Sequence, residues 1–414
     1  MKIAMVVEHA NPLPAHKGEP TGADSVHIAA LSRHLAKLGH RVTVYVRRQD
    51  PEQPERARMG RGVHVEHLAA GEARPLSEDN AAEHTGAFAA LLSERIAEDT
   101  PDVLHAVGWT SGLAAITAAG GVDTPEPLPV VQTFHSLNVA ERRAGLTARP
   151  DRARIEAAIA GRADAVVVNS DDQRFELARM GVPRPRVSVV PFGVDPDQFG
   201  PEGATTAETW SPRKKGSTRV VTVADLSHGG AEVLIDALRR LPEAELTIVA
   251  GPAQVEVPLN EDARRLELYA KEAGVEDRVA LTGPLARKEL PRLLRSADVF
   301  VSGAAYEPYG GAVVEAMACG LPVIARGTGS ASSAVLHGTT GTLLRVSRPD
   351  AVARAVRAMV GEPTMSTAYG IAGVDRASSR FAWERVAVET EQVYRRVCPE
   401  REAELPRAAG DDAH

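Results

Sequence analysis

The feature that most constrains this chain is a strand–helix alternation that runs through it twice. Lys2–Val7, Arg41–Val46, Val103–Ala106, Val130–Phe134, Ala165–Asn169 and Val187–Val190 are short and largely apolar, as strands of a parallel sheet covered on both faces should be. Between them, Ser25–Leu38, Asn80–Ala97, Arg152–Arg162 and Gln173–Met180 read as helices, and Gly39 supplies a C-cap just before the strand at Arg41. Such alternation implies a doubly wound α/β sheet with right-handed crossovers. It stops at Gly200–Ser217, which is rich in Gly, Thr, Pro, Arg and Lys, lacks periodicity and reads as an exposed link. A second alternation follows, with strands near Arg219–Val223, Glu245–Ala250, Val279–Thr282, Val299–Ser302, Val323–Ala325 and Thr342–Leu344. Its helices fall near Ala231–Arg240, Glu261–Ala273, Arg287–Leu294 and Gly311–Ala318. The expected organisation is a first domain over 1–199, a linker over 200–217 and a second domain over 218–380. Phe381–Val397, with Trp383 and Tyr394, reads as a long closing helix, and 398–414 as a disordered tail. Two such domains leave a cleft between them, and ligands bind beyond the carboxyl ends of such strands.

At 414 residues each half can bury its own core. A net charge of −7 gives no reason to expect a nucleic-acid partner or attraction to an acidic membrane surface. With two cysteines, Cys319 and Cys398, no disulfide framework is expected as the organising device, and no apolar run approaches the ~18 residues of a membrane span. With no secretory pattern at the N-terminus, a cytoplasmic protein is expected.

The most chemically specific stretch is Glu307-Pro308-Tyr309-Gly310-Gly311-Ala312-Val313-Val314-Glu315. A Pro-x-Gly-Gly turn runs into an apolar helix, and its backbone N–H groups and the helix dipole favour an anion. Glu307 precedes the turn and Glu315 lies about one turn into the helix. Both can therefore face one ligand with hydroxyls at either end and phosphates between, the layout of a nucleotide-diphosphate sugar. His135 follows the strand Val130–Phe134 and should emerge at its carboxyl end, facing the cleft, whereas His105 is read as structural.

Several further blocks accompany these residues: Thr21-Gly22 before a helix with Val26-His27, Gly39-His40-Arg41-Val42-Thr43-Val44-Tyr45, and Asp102-Val103-Leu104-His105-Ala106. Gln132-Thr133-Phe134-His135-Ser136-Leu137, Pro191-Phe192-Gly193-Val194-Asp195 and Ser296-Ala297-Asp298-Val299-Phe300-Val301 complete the set. In this order and spacing, from Met1 to about Val397, the chain resembles the retaining GT-B glycosyltransferases of family 4. Within them it is most similar to the subgroup of the mycothiol glycosyltransferase and sucrose-phosphate synthases. The resemblance implies two Rossmann-like domains facing a cleft, the first binding the acceptor and the second the sugar nucleotide, with the C-terminal helix crossing back to the first.

The resemblance also implies roles. His135 and Glu307 would be catalytic, His135 beside the donor sugar and Glu307 on hexose hydroxyls. Gly22, Tyr309, Gly310, Gly311, Glu315 and His228 would bind the donor, with Glu315 on the ribose. Thr133, Arg143 and Arg154 would bind the acceptor, since positive side chains in this region grip a phosphorylated acceptor in mycothiol-type relatives. The reaction would be a front-face transfer of a hexosyl group to a hydroxyl of a small molecule, without a protein nucleophile, cofactor or metal. The donor would be a UDP-sugar or a GDP-sugar, and a homodimer is compatible with the chain.

Two departures bear on activity. Ala23 stands where a second glycine is usual, and Ala tolerates positive φ poorly. In Val223-Ala224-Asp225-Leu226-Ser227-His228-Gly229-Gly230, Asp225 and Gly229 take the places of an Arg and a Lys that neutralise the leaving diphosphate. That charge stabilisation is usually the largest catalytic contribution. Either His228 or the linker's Arg213, Lys214 and Lys215 supply the charge, or the chain is a non-catalytic relative that binds sugar nucleotide or supports a partner enzyme. A sugar-nucleotide 2-epimerase on the same architecture is a third reading, against which the blocks around His135 and Glu307 speak. Gly303-Ala304 replaces a usual Pro-Ser, a milder change.

Overall fold

The computed structural model describes residues 1–13, 22–124, 126–146, 149–205, 216–224, 229–250, 260–283 and 285–398. The first half contains β1 (Lys2–Val7), α1 (Ala23–Lys37), β2 (Arg41–Arg47), β3 (Arg56–Gly60), β4 (Val63–Leu68), α2 (Glu78–Ala81), α3 (Thr85–Glu98) and β5 (Val103–Val107). It continues with α4 (Trp109–Gly121), β6 (Val130–Phe134), α5 (Asn138–Arg143), α6 (Arg152–Arg162), β7 (Ala165–Val168), α7 (Asp171–Arg179) and β8 (Val187–Val189). These strands form one eight-stranded sheet in the order β3-β4-β2-β1-β5-β6-β7-β8, parallel except for β3.

The second half contains β9 (Thr218–Val223), α8 (Ala231–Leu238), β10 (Ala244–Val249), α9 (Glu261–Glu272), β11 (Val279–Leu281), α10 (Leu290–Arg295), β12 (Val299–Val301) and α11 (Gly311–Ala318). β13 (Val323–Arg326), α12 (Gly329–Ala334), β14 (Gly341–Leu344), α13 (Pro349–Gly361), α14 (Pro363–Phe381) and α15 (Trp383–Val397) follow. Its six-stranded sheet runs β11-β10-β9-β12-β13-β14, entirely parallel, and so reverses direction between β9 and β12 as a dinucleotide-binding sheet does. The equivalent reversal in the first sheet lies between β1 and β5.

Every strand expected from its apolar run is present. The alternation missed β3 and β4, because β3 is a half-exposed edge strand and β4 beside it alternates buried Val63 and Val65 with partly exposed His64 and Glu66, so neither makes an apolar run. It also missed α4, whose sequence Trp-Thr-Ser-Gly-Leu-Ala-Ala-Ile-Thr-Ala-Ala-Gly-Gly is nearly apolar all round and carries no amphipathic stripe.

The crossing back to the first domain is confirmed with a shifted break. The helix proposed from Phe381 is two helices that meet at Ala382, which turns to φ −59°, ψ 138° and pairs as a β-bridge with Val194. Val194 N–H donates to Phe381 O at 2.7 Å and Trp383 N–H to Val194 O at 3.2 Å. A Cβ on Gly193 would lie 2.4 Å from the Trp383 ring, so the Phe-Gly-Val segment admits the indole only as written. Farther along α15 the Tyr394 hydroxyl meets His105 Nδ1 at 2.6 Å in the core of the first domain. Cys398, assigned from sequence to the tail, is buried, with its Sγ 3.4 Å from Asp102 O; the rest of the expected tail lies outside the described residues. No helix among the described residues is long and apolar enough to cross a membrane.

Candidate functional site

A cleft of about 1070 Å³ opens where the carboxyl ends of the two sheets face each other. The second domain supplies the end of β9, the start of α8, the Ser302–Tyr309 segment and the start of α11; the first supplies Gly22, Ala23, Ser136, Glu141 and Phe192.

Glu307, Tyr309, Gly311 and Glu315 line this cleft together. Gly310 adopts φ +72° and a Cβ there would lie 2.8 Å from Ser330 Cβ, so the turn needs glycine twice over. No side chain caps α11, which leaves its first-turn N–H groups for a ligand. The turn is braced by Ser330, whose N–H donates to Glu307 O and whose hydroxyl donates to Pro308 O, each at 2.7 Å. The Glu307 carboxylate accepts a short bond from Ser302 Oγ; burial raises its pKa and that bond lowers it. Glu315 is buried at the other end, its pKa raised by desolvation and pulled back by an ion pair with Arg287.

Arg287 was not singled out from the sequence. Its guanidinium also stacks over Phe199 with Cζ 5.0 Å from the ring centre, and it is the one basic side chain among the described residues that line the cleft. The sequence signal would have been a basic residue shortly after the third strand of the second alternation, too common to stand out. His228, Asp225 and the linker cations Arg213, Lys214 and Lys215 lie outside the described residues.

Gly229 and Gly230 are described, and they show why Gly303 matters. Gly230 has φ +101° and its Cβ would lie 2.8 Å from Gly303 C; a Cβ on Gly303 would lie 2.2 Å from Gly230 O. Two backbones touch here, so the Gly303 substitution is a packing requirement of this chain rather than a neutral change. The worry over Ala23 does not arise: Gly22 sits at φ −61° as the N-cap and Ala23 is the first helical residue, so neither needs positive φ.

On the first-domain side, His135 lies at the end of β6, but it is buried just behind the cleft wall, which the adjacent Ser136 lines; its Nδ1 donates to Asp24 Oδ1 at 2.7 Å. Asp24 was not foreseen, because an acid in a helix's first turn ordinarily needs no explanation beyond the dipole. It also takes His9 Nε2 at 3.1 Å and the Tyr309 hydroxyl at 3.0 Å on Oδ2. Burial alone would raise Asp24, but the bonds from His135 and His9 hold its pKa well below the usual carboxylate range. Burial alone would lower His9, but the Asp24 bond, with Glu78 and Glu8 nearby, raises it to about 9. Glu78 Oε1 accepts the Trp109 N–H and would lie 2.3 Å from a Cβ on Gly108, at φ +88°.

The three expected acceptor residues are not brought together, and none of them lines the cleft. Thr133 is buried in β6, with its hydroxyl 2.6 Å from His105 Nε2. His105 is thus structural, its pKa lowered to about 3 by burial and then by His135. Arg143 is engaged by Asp172 at 2.6 Å and by Glu176. Arg154 is exposed, because on α6 the inward face is carried by Arg152 and Glu156, paired at 2.7 Å one turn apart; a residue two positions on points away. Arg152 also reaches Glu141 at 3.3 Å.

The sequence contains one Asp-x-Asp, Asp195-Pro196-Asp197. It is an exposed turn in which Asp195 Oδ1 accepts the Asp197 N–H at 3.0 Å. Among the described residues no group of three or more His, Cys, Asp or Glu is arranged to hold a metal.

Residues 25–198 match the family described as Glycosyltransferase Family 4, and residues 206–374 match Glycosyl transferases group 1. A D-inositol 3-phosphate glycosyltransferase of Xylanimonas cellulosilytica is 30% identical over 97% of this chain and 98% of its own length. The solved sucrose-phosphate synthase of Thermosynechococcus elongatus superposes with a TM-score of 0.84 at 25% identity, over 96% of this chain and 99% of that one. HepE of Anabaena, solved in complex with UDP and glucose, shares the fold at a TM-score of 0.72 and 20% identity, over 98% of this chain and 100% of that one. The chain belongs to glycosyltransferase family 4, as a two-domain enzyme of sugar transfer with the GT-B architecture.

Proposed function

We propose that this protein moves a hexosyl group from a UDP-hexose, or a GDP-hexose, to a hydroxyl of a small-molecule acceptor with retention at the anomeric carbon. One observation carries the reading: Glu307 and Glu315 face the same cleft on either side of an uncapped helix N-terminus. In this arrangement Glu307 takes hexose hydroxyls, Glu315 takes the ribose, and the N–H groups of the Tyr309–Gly311 turn face the diphosphate. His135 stands beside the hexose. The acceptor enters from the first-domain side, past Ser136 and Glu141. The departing phosphate takes the acceptor's proton. A cytoplasmic location and a homodimer belong to the same proposal.

Incubation with labelled UDP- and GDP-hexoses, with and without polyol acceptors, tests it. Slow release of hexose or transfer with retained configuration supports the proposal; inversion at the anomeric carbon contradicts it. The second reading, a sugar-nucleotide-binding relative without turnover, is favoured by Asp225 and Gly229. Nucleotide binding with no turnover on any donor would select it. Asp225→Arg sharpens the choice: donor affinity should rise if the diphosphate passes this loop, and a fall would mean that the phosphates lie elsewhere.

A further inference from the structure

Asp24 joins the imidazole of His135 in the first domain to the Tyr309 hydroxyl on the donor turn of the second. It lies in the first turn of α1, sits at the carboxyl ends of β1 and β6, and accepts three hydrogen bonds on two oxygens. His135 Nδ1 takes one oxygen at 2.7 Å; His9 Nε2 and the Tyr309 hydroxyl share the other at 3.1 Å and 3.0 Å. An ionised carboxylate only accepts, so each of these three partners must be a donor. The bond to Asp24 therefore fixes the proton of His135 on Nδ1, since the hydrogen bond at one ring nitrogen decides what the other carries. His135 Nε2 is buried and has no partner among the described residues. In the neutral ring it presents a lone pair, the form that accepts a hydrogen bond from a hydroxyl.

The surroundings hold this arrangement in place. The His135 ring lies edge-on to Tyr309 with centroids 5.0 Å apart and to His27 at 4.5 Å. His27 is buried, and burial followed by the proximity of His135 and His105 keeps its pKa well below normal, so no cation is pressed against the His135 ring from that side. His9, raised to about 9, stays protonated at neutral pH and keeps Asp24 ionised. Asn169 Nδ2 adds a second tie across the cleft, donating to Pro308 O at 3.0 Å.

We propose that Asp24 is a positioning residue for sugar transfer: it sets His135 with Nε2 free for a hydroxyl of the bound sugar or acceptor, and through Tyr309 it makes that setting depend on the donor turn being docked. This rests on the transferase reading above. The test that stands apart from activity is nitrogen-15 NMR of the histidine rings in the full-length protein, with His135 assigned through His135→Gln. The expected result is a protonated Nδ1 and an unprotonated Nε2; a protonated Nε2 in the neutral ring would overturn the proposal. Asp24→Asn should lower kcat on the order of 30-fold with the donor KM within about 3-fold, the size expected when a residue that orients a reactive side chain is lost. Asp24→Glu should recover part of it. A kcat unchanged in Asp24→Asn, or a loss that follows the melting temperature and is not relieved in Asp24→Glu, would reduce Asp24 to a structural link. If the unaltered protein turns over no donor, the transferase reading fails, while the ring measurement still decides where Asp24 holds the proton.

Discussion

The second domain builds its donor turn largely from backbone, whereas the first sets a lattice of buried side chains behind its rim of the cleft. Around the donor turn, Gly310 at φ +72°, the Gly230–Gly303 contact and the open end of α11 are conformational features, with Glu307 and Glu315 added as two acidic ends. Opposite them, His9, Asp24, Glu78 and His135 come from four separate elements and meet only in three dimensions. A site made of a turn can be rebuilt by a few local residues. A site made of crossing side chains depends on every element that carries one. The difference also suits their tasks: a nucleotide diphosphate is the same for many enzymes, while an acceptor differs from one to the next.

The comparison can be broken at several points. Glu307→Gln removes a charge from the donor rim but keeps an acceptor for Ser302, so kcat should fall about 100-fold or more with the melting temperature nearly unchanged. An unaffected rate would remove Glu307 from the site. Arg287→Ala leaves the buried Glu315 without its cation, and donor affinity should weaken about 10-fold, equal to about 1.4 kcal/mol in titration calorimetry. Equal affinity would mean that Arg287 only shields Glu315 and does not help to order it for the ribose.

Gly193→Ala tests the crossing that ties the two rims. The added Cβ would meet Trp383 at 2.4 Å, so stability should drop by about 1–3 kcal/mol in denaturant unfolding, as overpacking does. A silent substitution would show that the crossing yields easily. The smallest effect should come from Glu8, fully buried beside Thr85 at the end of β1. Burial raises its pKa to about 7, above that of the unfolded chain, against the opposing Thr85 bond. Its contribution is thus full below about pH 4.5 and is lost as pH rises through about 7. Glu8→Gln should therefore gain about 2 °C relative to the unaltered protein on going from pH 5 to pH 8. A gain independent of pH would contradict the assignment.

The same contrast explains what the sequence disclosed. Strand runs such as Val130–Phe134 and the Glu307–Glu315 block are local, and both were legible because their chemistry sits within a dozen residues. The acceptor side was not. Thr133 and Arg154 were placed on the acceptor side by the resemblance, yet a strand's pleat turned one into the core and a helix's period turned the other to solvent, while Arg152, two residues earlier, faces inward. Asp24, His9 and Tyr309 lie up to 300 positions apart in the chain, and no periodicity links them. The edge strand β3 and its neighbour β4 escaped for a related reason: strands interrupted by partly exposed polar residues lack the apolar run that marks a strand buried on both faces.

The most direct measurement is a crystal structure of the unaltered protein with a hydrolysis-resistant UDP-hexose analogue. The account predicts the diphosphate across the Gly310–Gly311 turn, the ribose hydroxyls within hydrogen-bond distance of Glu315 and the hexose hydroxyls within reach of Glu307, with His135 Nε2 alongside. A nucleotide bound outside the cleft, or one that leaves both glutamates without contact, would contradict it.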